Sequence, residues 1–308
     1  MKQKLLFIFN PFSGKGLIKN QLVGIVDTMV KAGYEVTIYP TQSQGDATEK
    51  VIEEGAGFDR IVCSGGDGTL DEVVSGMLHA KLRIPLGYIP AGSTNDFANS
   101  LGIPKGMQKA AETAVKGVLF PCDVGSFNHD PFVYVAAFGL FTEVSYQTSQ
   151  KLKNIFGHLA YLMSGFKSIG NIPSYRMEIE ANGEHYTGEF MLGMITNSVS
   201  VGGFKGITGK DVKLDDGYFE VTLIKKPKNP LEFNEIIGCV TTLIDTSDLV
   251  YTFRAKEIRI VSQDKIPWTL DGEYGGRHKK VVIRNRKKRI LIATKRSAIA
   301  RIHAPKEN

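Results

Sequence analysis

Apolar positions follow two spacings over the first 125 residues of the chain. Short apolar runs typical of buried strands are separated by segments in which apolar residues recur at helical spacing. Strand–helix alternation with short connections predicts a parallel sheet covered by helices on both faces, and the loops after such strands carry the ligand. The predicted strands cover 5–10, 35–39, 60–63 and 85–89, and the predicted helices cover 17–31, 46–54, 70–78, 95–100 and 109–116.

The pattern changes near Asp123, after which most apolar residues fall in extended segments. Asn-Gly and Asp-Gly pairs separate these segments and indicate a β-rich second domain. We therefore expect an α/β protein with one domain at 1–125, a second at 126–294, and a cleft between them. The predicted strands of the second domain cover 132–138, 175–181, 186–196, 218–225, 257–262, 280–284 and 289–294, and its predicted helices cover 147–168 and 231–243.

Composition narrows the class of protein. The chain has 308 residues, 42% apolar and 23% charged, as in ordinary globular proteins, so disorder, fibres and disulfide scaffolds are excluded. Its three cysteines, Cys63, Cys122 and Cys239, are widely spaced without a metal-ligand pattern, which favours a reduced, cytoplasmic protein. The longest apolar stretch, 132–141, is too short to cross a bilayer, and the first residues lack a signal-peptide cleavage site.

Basic residues are concentrated towards the end of the chain. Residues 277–308 contain 12 lysines and arginines and one acidic residue, a balance of +11, which leaves −5 for the rest of a chain of net charge +6. This asymmetry indicates an anionic partner surface, either lipid or nucleic acid, although a solvated strand face explains it equally well. Alternation places Lys280, Val282 and Arg284 on one strand face, and we predict a loop at 286–289.

Polar, glycine-bearing loops follow three of the predicted strands. The first, 10–16, exposes backbone N–H groups ahead of a helix and suits an anion, although a tight turn explains it as well. It does not fit the GxxxxGK[ST] pattern of a Walker A loop. The second, 64–69, sets three glycines around Asp67, which admits phosphates and offers a carboxylate to magnesium. A helix start with Asp67 or Thr69 near the N-cap is the structural alternative.

The third loop, 90–98, again combines glycine, hydroxyls and a carboxylate at a predicted helix start. Capping is the alternative explanation for Ser93 and Thr94. Asp96 falls in the first helical turn, where the macrodipole favours an acid whatever its function. Further along, the segments 214–217 and 271–273 contain Asp-Gly pairs that are, on their own, typical of hairpin turns.

Taken together, these segments resemble one enzyme family. Asn10-Pro-Phe-Ser-Gly-Lys, Gly65-Gly-Asp-Gly-Thr and Pro90-Ala-Gly-Ser-Thr-Asn-Asp-Phe-Ala are similar in order and spacing to motifs of the diacylglycerol kinase catalytic family. That family includes bacterial soluble lipid kinases, sphingosine kinases and ceramide kinases. Val212-Lys-Leu-Asp-Asp-Gly-Tyr-Phe-Glu and Leu270-Asp-Gly-Glu resemble its two later motifs, so the resemblance spans nearly the whole chain. One GGDGT would also fit NAD kinases, whereas the five motifs together are specific and look most like the bacterial soluble branch.

The resemblance implies an N-terminal parallel-sheet nucleotide-binding domain and a C-terminal β-sandwich-like domain, with the active site in the cleft between them. It also implies that the chain end, about 295–308, returns to the first domain. The implied cofactors are Mg²⁺ and ATP, the latter as phosphoryl donor. The residues implied to bind the nucleotide are Asn10, Pro11, Phe12, Ser13, Gly14, Thr41, Gly65, Gly66, Asp67, Gly68, Thr69, Leu70, Asp71, Gly92, Ser93 and Thr94.

The resemblance also assigns catalytic roles to carboxylates. Asp67 and Asp96 match an aspartate–water–magnesium network, which Asp123 would join. Glu273 matches the proton acceptor, and Asp271 is its close neighbour. Which of these last two carboxylates accepts the proton is left open.

Three further positions match a metal site, and a fourth departs from the family pattern. Lys213, Asp216 and Tyr218 match a second, structural magnesium site, to which the lysine and tyrosine would contribute backbone carbonyls. Asp71 stands where many relatives carry Asn, which leaves the role of Asp71 open.

The expected function is that of an ATP-dependent lipid kinase, a transferase of phospholipid biosynthesis that phosphorylates diacylglycerol or a similar neutral lipid to give phosphatidate. A NAD kinase-like phosphotransferase and a non-catalytic nucleotide- or lipid-binding regulator are the alternatives. The expected partner is a lipid substrate at an anionic membrane surface, which a cytoplasmic enzyme would visit peripherally and reversibly. We expect no nucleic-acid partner, and the oligomeric state is open, a homodimer being one alternative.

Overall fold

The computed structural model describes residues 2–140, 172–201, 204–205, 212–242 and 247–303. The helix predicted at 147–168 lies outside these residues. The chain divides into two compact units, each built from separate stretches of sequence. The first unit comprises Met1–Val124, Lys213–Asp216 and Arg286–Asn308, and the second comprises Gly125–Val212 and Gly217–Asn285.

Strands and helices alternate in the first unit. Its strands lie in the order β2, β1, β3, β4, followed by the last part of β15, and neighbouring strands pair in parallel. Leu5, Phe7 and Ile8 are fully buried, because strands of a parallel sheet have helices on both faces. The elements are β1 (Gln3–Phe9), α1 (Ile18–Lys31), β2 (Tyr34–Pro40), α2 (Asp46–Glu54), β3 (Arg60–Gly65), α3 (Asp67–His79), β4 (Pro85–Pro90), α4 (Asp96–Ser100), α5 (Met107–Lys116), β5 (Val118–Phe127), which runs on into the second unit, β15 (Glu273–Thr294), and α7 (Arg296–His303).

The second unit is dominated by antiparallel strands. β9 pairs with β12, β7 and β8, and β14 pairs with β7, β8 and β15. Trp268 is fully buried in its core, with its ring centroid 4.9 Å from those of Phe127 and Phe138. The remaining elements are β6 (Asp130–Phe132), β7 (Val135–Gly139), β8 (Tyr175–Ala181), β9 (Glu184–Thr196), β10 (Ser200–Val201), β11 (Phe204–Lys205), β12 (Phe219–Lys225), α6 (Pro230–Thr242), β13 (Val250–Ala255) and β14 (Glu257–Leu270).

Some observed strands are absent from the sequence prediction. β5 contains Pro121 and Gly125, which weaken a strand signal, whereas β13 is a strand of six residues that the sequence prediction missed. β14 runs on to Leu270, with a register shift between Val261 and Ile266 that interrupts the apolar alternation. In the described part of the chain, no helix is both long and apolar enough to cross a membrane.

The prediction of a loop at 286–289 is wrong. β15 runs without interruption from Glu273 to Thr294, so the two strands predicted at 280–284 and 289–294 are one. The run of basic residues at 286–289 interrupts the alternation of apolar and polar positions that would indicate one strand. Within this run, Lys288 has a left-handed φ of 52°. The chain re-enters the first unit at Arg286, earlier than the expected 295, and the excursion at Lys213–Asp216 has no counterpart in the sequence prediction.

Candidate active site

The loop after β1 is folded on itself and held against its neighbours. The Asn10 side-chain oxygen accepts a hydrogen bond from the Phe12 N–H at 2.9 Å, a turn that carries the chain through Pro11 into a short 3-10 helix at Ser13–Gly16. Gly14 has a φ of 58°, and a Cβ there would lie 2.1 Å from the Ala91 carbonyl oxygen. Only glycine therefore lets this loop approach the loop after β4.

The loop after β3 leads directly into α3. Helix α3 begins at Asp67, three residues before the predicted start, and Gly66 occupies the N-cap without a side-chain cap. Neither Asp67 nor Thr69 is the N-cap, although both lie in the first turn of α3, near the N-cap. A Cβ on Gly65 would lie 2.2 Å from the Thr69 hydroxyl, so the tight start of α3 requires glycine there. Gly68 lies in the same first turn, whose N–H groups suit an anion.

Asp67 and Asp96 are brought together, as the resemblance implies. Asp67 Oδ2 accepts hydrogen bonds from the Asp96 N–H at 3.2 Å and from the Thr94 hydroxyl at 3.3 Å. Asp67 thus supports the start of α4, and neither Ser93 nor Thr94 caps that helix, because its N-cap is Asn95. Burial, reinforced by the negative charge of Asp96, raises the pKa of Asp67 to about 6.

Two residues outside the predicted set organise the loop after β4. Asn95, in a left-handed conformation, accepts a hydrogen bond from the Gly92 N–H and donates one to the Gly92 carbonyl, both at 2.8 Å. The buried Tyr88 hydroxyl donates to the Gly65 carbonyl at 3.2 Å. A Cβ on Gly92 would lie 2.7 Å from the Gly66 Cα, so the loops after β3 and β4 meet through two glycines.

A cavity of about 860 Å³ opens beside these loops within the first unit. That volume is in the range of small-molecule sites, which is about 300–1,000 Å³. Gly14, Gly92, Ser93 and Thr94 line it, together with residues of α1 and the start of α5, including Gln21 and Lys109. The first and third glycine loops therefore share one cavity.

The other predicted nucleotide residues lie around the starts of α2 and α3. Thr41 is buried at the end of β2 and its N–H donates to the Phe9 carbonyl at 2.9 Å. Leu70 is buried and Asp71 half-buried in the first turns of α3. Glu72, which the sequence analysis missed, accepts hydrogen bonds from the Gly45 and Ala47 N–H groups and fixes the start of α2. No local pattern in the sequence marks this long-range contact.

The residues of the first unit fit a magnesium ion that is shared with phosphate and water. Asp67 Oδ1 is buried and accepts no hydrogen bond from the described residues, so this oxygen is available to a cation. Asp96 is 1% exposed beside it. The described residues contain no group of three or more acidic, histidine or cysteine side chains that would form a complete protein cage. Magnesium commonly keeps waters and substrate phosphates and takes only one or two carboxylates.

Asp271 holds a neighbouring loop in the second unit. Its carboxylate accepts hydrogen bonds from the N–H groups of Val133, Tyr134 at 2.9 Å and Val135 at 2.8 Å, and the residue is 5% exposed. Three N–H donors occupy the lone pairs that a proton acceptor would use. Asp271 is thus a structural anchor of the hairpin between β14 and β15.

Glu273 lies just beyond that hairpin and is exposed at the first position of β15. Asp271 and Gly272 have left-handed φ values of 51° and 90°, and Leu270 pairs with Glu273, so the hairpin turn predicted from Asp-Gly is confirmed. Asp271 and Glu273 therefore occupy different environments. Of the two carboxylates, Glu273 is the exposed one.

The residues of the implied second magnesium site belong to different units. Lys213 and Asp216 lie in the segment inserted in the first unit, and Tyr218 lies in the second. The ring of Tyr218 contacts the Arg254 guanidinium at 4.9 Å and the Lys256 ammonium at 4.8 Å. The Asp123 N–H donates to the Leu214 carbonyl at 2.7 Å, which ties the inserted segment to β5.

Comparison with known proteins identifies the family to which the chain belongs. Residues 4–127 match the sequence model of the diacylglycerol kinase catalytic domain, and residues 135–287 match that of the YegS C-terminal NAD kinase beta sandwich-like domain. The chain is 38% identical to diacylglycerol kinase of Bacillus subtilis over 273 residues, which are 87% of this chain and 89% of the relative. This chain belongs to the diacylglycerol kinase family. It is therefore a lipid kinase, as the sequence motifs predict.

Other diacylglycerol kinases are similar to this chain over nearly its whole length. Diacylglycerol kinase of Staphylococcus carnosus is 36% identical over 281 residues, 90% of each chain. A solved structure of a Bacillus anthracis protein proposed to be a diacylglycerol kinase superposes with a TM-score of 0.82 at 27% identity, covering 96% of this chain and 98% of that one. The match to the diacylglycerol kinase catalytic domain contains all three glycine loops, and the second match contains the segments around Asp216 and Glu273.

Proposed function

We propose that this lipid kinase transfers the γ-phosphoryl group of ATP to the hydroxyl of diacylglycerol, giving phosphatidate and ADP. The relatives from Bacillus subtilis and Staphylococcus carnosus are named for that acceptor. The observation that carries the proposal is the position of Asp67, which belongs to the second glycine loop and is hydrogen-bonded to the third. One of its carboxylate oxygens accepts the N–H at the start of α4, and the other accepts no hydrogen bond from the described residues.

The first unit would bind the nucleotide. The glycines Gly14, Gly66 and Gly92 let the loops after β1, β3 and β4 pack against one another, so that backbone N–H groups of all three loops would be available to the phosphates. Asp67 and Asp96 would hold Mg²⁺, which when bound supplies neutralisation of the phosphate charge. Phosphoryl transfer depends mainly on such positioning and charge stabilisation.

The second unit would supply the proton acceptor. The hydroxyl oxygen of the lipid forms a bond to the γ-phosphorus while the bond from that phosphorus to the bridging oxygen of ADP breaks. The hydroxyl proton goes to the carboxylate of Glu273, which is exposed, whereas that of Asp271 accepts three N–H groups. Lys213, Asp216 and Tyr218 remain our proposed residues for a second, structural magnesium.

Access to the lipid would come from reversible binding to an anionic membrane surface. The exposed Arg286 and Lys287 belong to the basic end of the chain and offer charge to such a surface. We propose that the enzyme works in the cytoplasm and visits the membrane peripherally.

The deciding experiment supplies the purified full chain with γ-labelled ATP and magnesium. Separate reactions contain detergent-dispersed diacylglycerol, ceramide, sphingosine or soluble NAD, and products are resolved by chromatography. We expect label in phosphatidate. Label in NADP would instead support the NAD kinase alternative. The second matched domain is described as NAD kinase beta sandwich-like, so this alternative is included in the test. Absence of label from every acceptor would support the non-catalytic alternative.

A variant pair tests the residue that carries the proposal. Asp67→Ala should lower turnover by at least about 10²-fold, the scale of losing one preorganised electrostatic element. The matched control is Asp264→Asn, which neutralises an exposed carboxylate, and it should leave turnover unchanged. Near-normal turnover of Asp67→Ala would remove Asp67 from the phosphate site.

A further inference from the structure

The segment Lys213–Asp216 is a short excursion of the chain into the first unit, flanked on both sides by residues of the second. Four residues cannot form a core of their own, so the segment depends on neighbours for its conformation. It contains two of the residues proposed for the structural magnesium, Lys213 and Asp216. What fixes this segment therefore also fixes the proposed metal ligands.

Backbone contacts anchor the segment through Asp123. The Asp123 N–H donates to the Leu214 carbonyl at 2.7 Å. Asp123 is fully buried, and its Oδ1 accepts a hydrogen bond from the Lys288 N–H at 2.7 Å. Lys288 has a φ of 52°, an uncommon conformation for a residue with a side chain, and it directs this N–H to Asp123. The irregular point of β15 thus coincides with the anchor.

Side-chain contacts hold the same segment through Asp215. The side chain of Asp215 is 13% exposed, and a carboxylate this buried is costly without a partner. Its Oδ1 lies 2.9 Å from Nε2 of His303, and its Oδ2 lies 3.6 Å from Nζ of Lys288. His303 belongs to the last turn of α7, and its ring centroid lies 6.0 Å from that of Phe120.

We propose that His303 and Lys288 are positioning residues for the metal-binding segment, so that the C-terminal helix sets the affinity of the enzyme for structural magnesium. The proposal rests on the proposed function, because that function assigns the magnesium to Lys213 and Asp216. Lys288 then serves the segment through its backbone N–H as well as through its ammonium group. Partners that orient metal ligands have a measurable effect on metal affinity even when they do not touch the ion.

The test uses histidine variants of the full chain and measures magnesium dependence in two ways. One is the magnesium concentration that gives half of the maximal kinase rate. The other is the magnesium concentration that gives half of the thermal stabilisation without nucleotide. We expect His303→Ala to raise both concentrations about 10-fold, the lower end of the effect of removing an orienting partner.

Conservative and control variants separate positioning from general stability. His303→Gln keeps an N–H donor near the position of Nε2 and should restore both concentrations to within about twofold of wild type, since a hydrogen bond to a charged group carries most of the effect. Arg296→Ala removes an exposed side chain from the same helix and should change neither. Lys288→Met combined with His303→Ala should give less than the product of the single effects, because both residues act on Asp215.

The outcomes are distinguishable from failure of the proposed function. A wild-type protein without kinase activity would refute the function, while the thermal shift with magnesium would still test the positioning role. The proposal is overturned if His303→Ala leaves both magnesium concentrations unchanged, or if His303→Gln is no better than His303→Ala. A loss of melting temperature with unchanged magnesium dependence would likewise assign His303 to stability alone.

Discussion

Oδ2 of Asp67 lies 3.2 Å from the backbone nitrogen of Asp96 and accepts its hydrogen bond. One carboxylate thus joins the loops after β3 and β4, and its charge is placed against the positive end of α4. The same placement puts two acidic groups close together in a largely buried setting. The site therefore holds electrostatic strain that a cation would relieve.

We predict that this strain appears as a pH-dependent loss of stability at Asp67. Because the pKa of Asp67 is raised to about 6 from an ordinary value of 3.8, the folded protein binds this proton more tightly than the unfolded chain. Its contribution to stability is thus present below about pH 4 and is lost as the pH rises through about 6. Asp67→Asn does not titrate, so its free energy of unfolding relative to wild type should increase by on the order of 2 kcal/mol between pH 4.5 and 7.5.

Urea unfolding of both proteins in a chelator, without nucleotide, measures this difference. The exposed-carboxylate variant Asp264→Asn, measured at both pH values, is the control for the loss of one negative charge. If Asp67→Asn and wild type show parallel pH dependence, Asp67 does not have the raised pKa on which this prediction rests.

The two acidic residues of the β14–β15 hairpin should respond in opposite ways. Asp271→Asn tolerates the left-handed φ of 51° but presents one acceptor oxygen and two N–H groups to three buried N–H donors. We expect it to lower the free energy of unfolding by about 1–3 kcal/mol, the cost of an unsatisfied buried group. Glu273→Gln should instead leave stability near wild type and depress turnover by about 10²–10⁴-fold, the contribution of a general base.

Thermal melting and steady-state kinetics distinguish these effects, and nucleotide titration completes the comparison. Glu273→Gln should retain its affinity for ATP, because its role begins with the lipid hydroxyl. A weakened affinity for ATP in this variant would move Glu273 out of the proton-acceptor role.

The contact between the loops after β3 and β4 is so close that adding one methyl group at Gly92 should disrupt it. In Gly92→Ala the added carbon would lie 2.7 Å from the Gly66 Cα and 2.8 Å from the Asn95 oxygen. We expect a loss of about 1–3 kcal/mol of stability from overpacking and a weaker affinity for ATP. Gly57→Ala, outside the cavity and with no atom within 4 Å of the added carbon, is the control and should keep both. Wild-type ATP affinity in Gly92→Ala would separate this contact from nucleotide binding.

The basic end of the chain should bind anionic vesicles through exposed side chains. Arg286, Lys287 and Lys288 are exposed, but Lys288 also lies 3.6 Å from Asp215, and burial lowers the pKa of Arg289. We expect Arg286→Ser with Lys287→Ser to weaken vesicle sedimentation, since each basic residue near an anionic surface contributes on the order of 1 kcal/mol.

Activity on detergent-dispersed lipid should be spared in that double variant. The control loses the same charge at two other exposed positions, Lys2→Ser with Lys116→Ser, and should bind vesicles like wild type. Binding of the wild-type protein that is indifferent to salt and to lipid charge would leave the basic end as a solvated face.

The glycine loops and the alternation of the first unit were predictable because their signals are local. Gly65, Gly66 and Asp67 are adjacent in sequence, and the apolar spacing around them fixes the strand before and the helix after. The hairpin at Asp271-Gly272 was predictable for the same reason, since Asp-Gly accommodates two left-handed residues. The family motifs then supplied roles that no spacing could give.

Tertiary structure alone separated residues that look alike in the sequence. Asp271 and Glu273 are two acidic neighbours, but only the fold brings the backbone N–H groups of 133–135 to Asp271 and leaves Glu273 exposed. Lys287 and Lys288 are identical neighbours in a basic run, yet Lys288 has a left-handed φ, its backbone N–H donates to Asp123, and its ammonium lies 3.6 Å from Asp215. Most local elements and the three glycine loops could be predicted from the amino-acid sequence, because backbone propensity and apolar period act over a few residues. Tertiary structure decided which carboxylates bind backbone N–H groups or a lysine, because the partners are more than 70 positions away and no local pattern encodes them.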